Sequence, residues 1–183
     1  MKNAFCLLLL SVVLTGCAGM TAESIQSPAD VRMIQDVPFY EDTNHQCGPS
    51  SLASVMNYWQ GRKPSLNTVT PQGISSEVYS EGARGTLGID LEFYARKNGF
   101  QTMQYSGSVE DLRNKILNDI PVIILVDFGA FFYQRNHFMV VSGYSSKGII
   151  AYSGREEKII SFDELGRIWG KTHFWTLIVK PSD

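Results

Sequence analysis

The spacing of apolar residues after Cys47 predicts the first helix of the chain. The apolar residues of this stretch recur at the three- and four-residue spacing of a helix with one buried face, and they are Leu52, Val55, Met56 and Trp59. Gly48 and Pro49 suit the beginning of this helix, because a proline in the first turn loses no backbone hydrogen bond. The pattern therefore predicts a helix with Cys47 at its N-terminal end and an apolar face in the core.

Similar patterns predict more helices along the chain. The predicted helices cover residues 87–98, 109–118 and 162–169. Thr86 and Ser108 stand where the first two of these begin, and their hydroxyl groups suit the N-cap position. Residues 63–76 are predicted to be largely irregular, with room for one short helix.

Strands are predicted where β-branched and aromatic residues run without a helical period. They cover residues 101–105, 121–128, 137–144, 148–152, 158–162 and 174–179. Residues 31–40 read as an extended lead-in, which Pro38 restricts to an edge strand or a loop. A helix comes first, more helices follow, and then strands of antiparallel type. This order predicts an α+β fold rather than alternating βαβ units.

The first residues have the pattern of an export signal. Lys2 gives a basic start, an apolar run covers residues 4–14, and the sequence Leu-Thr-Gly-Cys ends at Cys17, as in a secretory signal peptide. That ending resembles the bacterial lipoprotein signal, which implies cleavage before Cys17 and insertion of its acyl chains into a membrane. Ala18 at the next position favours the outer membrane by the same resemblance. The alternative is an ordinary signal peptide with a chance cysteine.

The chain is therefore predicted to have a signal peptide (1–16), a lipidated N-terminus with a flexible tether (17–30), and one domain (31–183). The roughly 150 residues of that domain suffice for one hydrophobic core and not for two. The sequence contains 16 basic and 18 acidic residues, for a net charge of −2. This charge, without a cluster of Lys and Arg, argues against a nucleic-acid partner. The predicted location is the periplasmic side of the outer membrane.

Cys47 is the candidate nucleophile. The chain has three cysteines; Cys6 leaves with the signal and Cys17 is acylated, so the mature chain cannot form an internal disulfide. At the start of a helix, unpaired N–H groups and the helix dipole favour a thiolate. We therefore expect the pKa of Cys47 to be lowered. The alternative is a small, buried apolar residue.

A cysteine nucleophile needs a base that removes its proton and later protonates the leaving group. Of the three histidines, His137 is the best candidate, because it stands between a loop and a predicted strand. His45 lies two residues before Cys47, and such close neighbours seldom align well. His173 is more consistent with a surface or packed histidine.

Two motifs taken together resemble a known family. Gln-Cys-Gly-Pro at 46–49 and His-Phe-Met-Val-Val-Ser-Gly-Tyr at 137–144 are similar to papain-like cysteine peptidases of the bacteriocin-processing, double-glycine leader type, especially their stand-alone exported members. The resemblance implies a papain-like α+β fold, in which an N-terminal helix carrying Cys47 packs on an antiparallel sheet carrying His137. It implies Cys47 as nucleophile, His137 as general base and acid, a peptide or protein substrate, and no metal or organic cofactor.

The chain departs from the family pattern before the cysteine. The family often has a glutamine five or six residues upstream whose amide helps to bind the oxyanion, whereas this chain has Glu41 and Asp42. A carboxylate repels the negative charge that develops there. Gln46 is the predicted substitute donor, alongside the backbone N–H of Cys47.

A second departure concerns the residue that orients the imidazole. Leader-cleaving members have an aspartate on the strand after the histidine strand, and that place falls at Ser153. A serine holds a ring nitrogen by a hydrogen bond but does not stabilise an imidazolium as a carboxylate does. Asp127, Glu156 and Glu157 are alternative partners, although each is more consistent with a solvated charge.

Two alternatives to a peptidase stay open at this point. The first is an amidase or acyl transferase, which would use the same Cys–His pair. The second is a peptidase-like scaffold that binds a peptide without cleaving it, and the altered residues before Cys47 and at Ser153 favour it. The aromatic stretch Phe131-Phe132-Tyr133 is expected to be core or cleft wall, and the alternative is a contact with substrate or membrane.

Overall fold

The computed structural model describes residues 30–42 and 46–182, which form an antiparallel sheet with helices packed on it. The predicted signal peptide, Cys17 and His45 lie outside the described residues. The helices are α1 (Cys47–Arg62), α2 (Pro71–Val78), α3 (Gly88–Lys97), α4 (Val109–Leu117) and α5 (Phe162–Gly170). None of the helices in this part of the chain combines the length and apolar character needed to cross a bilayer.

The strands form one large and one small sheet. They are β1 (Arg32–Met33), β2 (Tyr79–Ser80), β3 (Gly85–Thr86), β4 (Phe100–Ser106), β5 (Val122–Asp127), β6 (Asn136–Tyr144), β7 (Gly148–Ser153), β8 (Glu156–Ser161) and β9 (Trp175–Pro181). The large sheet has the order β4-β9-β5-β6-β7-β8, with β1 added on β6, and β2 pairs with β3 separately. All of these pairings are antiparallel, which confirms the predicted α+β class.

Helix α1 is more deeply buried than its sequence pattern predicts. Every residue from Gly48 to Tyr58 is buried, because α1 packs on β5, β6 and β9 and also contacts α2 and α3. Its polar side chains find partners in this position. Asn57 donates to the Val69 carbonyl at 2.8 Å and accepts from the Val69 N–H at 3.0 Å, and Ser54 donates to the carbonyl of Ser50 at 2.9 Å. Buried polar groups are tolerated when they are hydrogen-bonded in this way.

The two central strands hold the histidine that the sequence singled out. Strand β5 is buried along nearly its whole length, and β6 is buried from Phe138 to Gly143. In their antiparallel register His137 lies opposite Val126, and Asn136 lies opposite Asp127. His137 is thus the second residue of β6, at the end of the sheet where the loop from β5 returns.

One predicted helix cap is wrong. Helix α3 begins at Gly88 after the N-cap residue Leu87, without a side-chain cap, whereas Thr86 belongs to β3 and pairs with Tyr79. The hydroxyl oxygen of Thr86 is buried and has no hydrogen-bond partner among the described residues. The short β2–β3 pairing carries no periodic signal, so local propensity could not place Thr86 correctly.

Other local predictions hold in part. Ser108 accepts from the Asp111 N–H at 3.1 Å, as the predicted cap of α4. Residues 63–76 were predicted to be largely irregular, but α2 runs from within that segment past its end. Thr70 caps α2 by accepting from Gly73 N–H at 3.0 Å. In the lead-in 31–40 only β1 is a strand.

Candidate active site

Cys47 and His137 lie together although they are far apart in the sequence. Cys47 is the first residue of α1, its thiol is free, and α1 packs directly on β6. The sulfur of Cys47, a ring nitrogen of His137 and a carboxylate oxygen of Asp42 all lie within 4.8 Å of one another. A nucleophile and a base are therefore placed at one point, where the helix meets the sheet.

Gly48 allows this close approach of helix and sheet. A Cβ atom at Gly48 would lie 3.2 Å from Cβ of Thr86 and 3.3 Å from Cδ2 of Phe138. These separations are shorter than ordinary van der Waals contacts between carbon atoms. The absence of a side chain at Gly48 lets the sulfur of the preceding residue reach the start of β6.

Ser153 lies on the other side of the imidazole. Its hydroxyl oxygen is 3.1 Å from Nε2 of His137, and the residue is only 7% exposed at the end of β7. A hydrogen bond to one ring nitrogen fixes the ring orientation, and the hydroxyl accommodates either tautomer because it can donate or accept. The structure thus puts Ser153 in contact with His137, where the sequence comparison with leader-cleaving peptidases placed it.

Asp42 approaches the same imidazole from the loop before α1. Its Oδ2 lies 3.7 Å from Nδ1 of His137, and its backbone N–H donates to the Gly154 carbonyl at 2.8 Å. The sequence analysis treated Asp42 only as a hindrance to oxyanion binding and missed its contact with the histidine. The only signal for this contact in the sequence was the acidic residue at position 42, where the resemblance implied a glutamine.

The expected lowering of the Cys47 pKa is wrong. Burial of the thiol raises its pKa above the ordinary value, and the negative charge of Asp42 adds to the increase. Hydrogen bonding from backbone groups of Phe138 and Gly48 acts in the opposite direction without overcoming the burial. Local sequence showed the helix N-terminus but not the desolvation, which comes from the packing of α1 on β6.

Burial acts on His137 in the complementary direction. Desolvation lowers the pKa of the imidazole, and the charges of Arg135 and Lys158 lower it further, while Asp42 opposes them. A lowered pKa makes His137 neutral near pH 7, so its approach to Asp42 is not an ion pair at that pH. With Cys47 also protonated, the resting site contains a neutral thiol and a neutral imidazole.

The comparison with known proteins agrees with this geometry. The family model described as Peptidase_C39 like matches residues 34–169, which include Asp42, Cys47, His137 and Ser153. The chain belongs to the Peptidase_C39-like family. Among curated proteins, none matches the chain significantly.

Solved structures show the same fold at low sequence identity. A C39-like peptidase from Bacillus anthracis has a TM-score of 0.64 and 14% identity, covering 84% of this chain and 99% of its own. A double-glycine motif protease of an AMS/PCAT transporter, in complex with its leader peptide, has a TM-score of 0.64 and 22% identity over 82% of this chain and 95% of its own. The peptidase domain of Streptococcus ComA has a TM-score of 0.59 and 20% identity, with 79% and 97% covered. The predicted papain-like fold is confirmed by these likenesses.

Asp127 is buried, whereas the sequence predicted a solvated charge. It is 7% exposed, and its Oδ1 accepts from the backbone N–H groups of Gly129 at 2.7 Å and Arg135 at 2.8 Å. These hydrogen bonds lower the pKa of Asp127, with the charge of Lys171 contributing. Asp127 therefore fixes the loop between β5 and β6. The other alternative partners, Glu156 and Glu157, are exposed as expected.

The aromatic stretch in that loop is neither core nor cleft wall. Phe131 and Phe132 are fully exposed, at 103% and 104%, and Tyr133 is 72% exposed. The loop aromatic that approaches the site is Phe128, whose ring centre lies 5.9 Å from that of His137. A run of aromatic residues indicated burial in the sequence, but the tight turn fixed by Asp127 directs these side chains into solvent.

The remaining candidates occupy different places. Gln46 is the N-cap residue of α1, and its carbonyl accepts from the Ser50 N–H at 2.8 Å. His173 is exposed in the turn before β9, and its carbonyl accepts from the hydroxyl of Ser106 at 2.9 Å. The predicted surface or packed position of His173 is consistent with this exposure.

Two cavities adjoin the cysteine and the histidine of the C39-like site. One, of only about 10 Å³, has Cys47 in its wall, and its lining combines serines of α1 with the aromatic rings of Phe39, Phe138 and Tyr152. The other, of about 350 Å³, lies beside His137. Its basic lining residues are Arg135, Arg155 and Lys158. The site thus joins a narrow, partly aromatic cavity to a wider one in which three cations face the Asp42 carboxylate.

Proposed function

We propose that this protein is a cysteine peptidase of the bacterial cell envelope that acts through an acyl-enzyme. His137 removes the thiol proton as Cys47 attacks the scissile carbonyl, and then donates it to the departing amine. Water hydrolyses the acyl group and regenerates the thiol. The single observation that carries the proposal is the convergence of Cys47, His137 and Ser153 at the junction of α1 and β6.

Ser153 is assigned the orienting role. With Nε2 protonated and donating to the Ser153 hydroxyl at 3.1 Å, the lone pair on Nδ1 is available to accept the thiol proton. A serine supplies this orientation without the negative charge that stabilises an imidazolium. This proposal fits the neutral resting pair, in which proton transfer accompanies attack instead of preceding it.

The oxyanion is assigned to donors at the start of α1. The first N–H groups of a helix have no intrahelical partner, and the backbone N–H of Cys47 belongs to this group. The side-chain amide of Gln46 is the second proposed donor. Asp42 stands near the developing charge and reduces the stabilisation that these donors provide.

The proposed substrate is a peptide with small residues before the cleaved bond and an acidic residue near it. The space beside Cys47 is narrow, about 10 Å³, with Phe39 and Tyr152 in its wall, which favours glycine or alanine over larger residues. The cations beside His137 attract a carboxylate. A leader peptide bound to a structural neighbour supports a peptide as the substrate class.

Anchoring through Cys17 is part of the proposal. The Leu-Thr-Gly-Cys sequence that ends there supports acylation, and the polar residues up to about position 30 would form the tether. We propose that the domain faces the periplasm from the outer membrane. Replacement of Cys17 by serine should move the protein from the membrane fraction to the soluble fraction or block its processing.

A non-catalytic scaffold is the second candidate function. The raised pKa of Cys47 and the nearby Asp42 carboxylate favour it, since both oppose formation of a thiolate. An amidase or acyl transferase would use the same Cys–His pair and differ only in the acceptor or the amide attacked. Comparing envelope peptides from cells that express the protein or its Cys47→Ala variant tests the peptidase proposal. New peptide termini that depend on Cys47 support cleavage, and their absence supports the scaffold.

A further inference from the structure

Three side chains with different metal-binding atoms converge at the site. The thiol of Cys47, a ring nitrogen of His137 and a carboxylate oxygen of Asp42 all lie within 4.8 Å of one another, and Asp42 Oδ2 is 3.7 Å from His137 Nδ1. Ligands of one tetrahedral zinc ion, at about 2.0–2.3 Å from the metal, lie about 3.3–3.8 Å apart. The carboxylate and the imidazole already have that separation, and the sulfur, within 4.8 Å of both, needs to move by no more than about one ångström.

Asp42 also has a carboxylate oxygen for which the described part of the chain offers no donor. Its Oδ1 is buried and has no hydrogen-bond partner among the described residues. An unpaired carboxylate oxygen removed from water is unfavourable. The backbone N–H of Asp42 is tied to the Gly154 carbonyl at 2.8 Å, so the main chain holds the carboxylate beside the cysteine and histidine. A cation held by the carboxylate between the three side chains would compensate the cost of removing that charge from water.

The contact with Ser153 completes the pattern of a metal-binding histidine. Such a histidine usually donates its second ring N–H to a neighbouring oxygen, which fixes the tautomer. Nε2 contacts Ser153 Oγ at 3.1 Å and Nδ1 faces Asp42 Oδ2 at 3.7 Å, so Nδ1 is the nitrogen on the side of the proposed metal. Thiolate, imidazole and carboxylate together are the ligand types that zinc accepts.

Charge balance favours a divalent ion at this half-buried place. A thiolate and a carboxylate carry two negative charges, which a zinc ion neutralises. The nearby cations Arg135 and Lys158, which act on His137, oppose any additional positive charge. Removal of the thiolate or the carboxylate would therefore weaken zinc binding more than removal of a neutral ligand would.

We propose that Asp42, Cys47 and His137 bind one zinc ion, and that the bound ion keeps the enzyme inactive by occupying the nucleophile. Binding replaces the thiol proton of Cys47 with a bond to zinc and releases that proton, and the fourth coordination position is left to water. The ion is an inhibitor here and not a cofactor for cleavage. Its inhibitory role rests on the proposed peptidase function, whereas the binding itself does not.

The test uses the reduced full chain with Cys6→Ser and Cys17→Ser, so that Cys47 is the only thiol, and without a polyhistidine tag. Zinc is titrated against a chromophoric chelator, and Co²⁺ is titrated separately by absorption. We expect one zinc per chain, a thiolate-to-cobalt charge-transfer band that Cys47→Ser abolishes, and zinc protection of Cys47 from iodoacetamide that a chelator reverses. Absence of saturable binding at one site would overturn the proposal.

Matched variants separate the metal site from the catalytic proposal. Asp42→Asn should weaken zinc binding at least about tenfold, and Ser153→Ala by about 10–100-fold, whereas Glu41→Gln, which removes the exposed neighbouring carboxylate, should leave it unchanged. Equal zinc affinity in Asp42→Asn and the parent would overturn the three-ligand site. Asp42-dependent zinc binding by a protein that cleaves no peptide would sustain the metal site and contradict the peptidase function instead.

Discussion

Asp42 places a carboxylate oxygen 3.7 Å from Nδ1 of His137. This carboxylate acts on both reactive groups: it raises the pKa of Cys47 and opposes the burial that lowers the pKa of His137. The thiol is therefore less acidic than the helix N-terminus alone would make it. The reactivity of Cys47 depends on Asp42 more than on any other charge that acts on it.

Replacement of Asp42 by glutamine or asparagine should increase the reactivity of Cys47. Loss of the negative charge removes one cause of the raised thiol pKa, so a larger fraction of thiolate is present near pH 7. With a chelator present, the rate of iodoacetamide labelling at pH 7 should rise several-fold. Glu41→Gln is the control, and labelling rates that are equal in Asp42→Gln and the parent would contradict the assigned role of Asp42.

The pH dependence should be that of a neutral pair. Because the pKa of His137 is lowered from about 6.5, kcat/KM should be lost only as pH falls below about 6.5. Because the pKa of Cys47 is raised, alkylation should keep rising above pH 8.5, the ordinary thiol range. A stopped-flow labelling series from pH 5 to 10 measures the pH dependence of alkylation, and peptide cleavage over the same range measures that of kcat/KM. Fast labelling near pH 5–6 would instead reveal a thiolate–imidazolium pair.

Removal of the Ser153 hydroxyl should slow the reaction without unfolding the domain. Ser153→Ala deletes the contact at 3.1 Å from Nε2 and frees the imidazole to turn, so kcat should fall about tenfold or more while KM changes little. The melting temperature provides the stability control. Ser153→Asn, which keeps a hydrogen-bonding side chain, should recover part of kcat, and full activity in Ser153→Ala would exclude an orienting role.

The loop after β5 depends on Asp127. Its Oδ1 accepts hydrogen bonds from the N–H groups of Gly129 and Arg135 at 2.7 and 2.8 Å. Asp127→Ala therefore leaves two donors without their partner. We expect a loss of about 1–3 kcal/mol in the free energy of unfolding, measured by urea denaturation, since an unmet buried donor costs about that much and only the Gly129 hydrogen bond is buried.

Asp127→Asn is the matched variant, because its amide keeps an oxygen that can accept both bonds. It should lose less than half as much stability as Asp127→Ala. Equal losses in the two variants would show that the negative charge, and not the acceptor atom, holds the loop.

The sequence predicted the parts of the fold that local pattern determines. The apolar spacing from Leu52 to Trp59 placed α1, and the β-branched run in residues 121–128 placed β5. The pairing of Cys47 with His137 was inferred from motifs on these elements, and Ser153 from its place on the following strand. The structure brings all three together, and their catalytic roles stay predictions.

What the sequence missed depends on contacts between distant segments. Thr86 has a cap-forming side chain but pairs with Tyr79, and Asp127 has a surface-type side chain but is enclosed by its own loop. The pKa of Cys47 follows the burial of the site and not the helix end alone. In each case tertiary packing overrides a local preference, and no local pattern reports that packing.

Cleavage that depends on Cys47 and His137 is the central claim of this account. The most direct measurement is mass spectrometry of peptides with small residues before an acidic segment, incubated with reduced, chelator-treated protein. The account predicts defined products with the parent chain, none with Cys47→Ala, at least about a hundredfold slower cleavage with His137→Ala, and a trapped acyl adduct on Cys47. Equal cleavage by the parent and Cys47→Ala, or no cleavage by either, would contradict it.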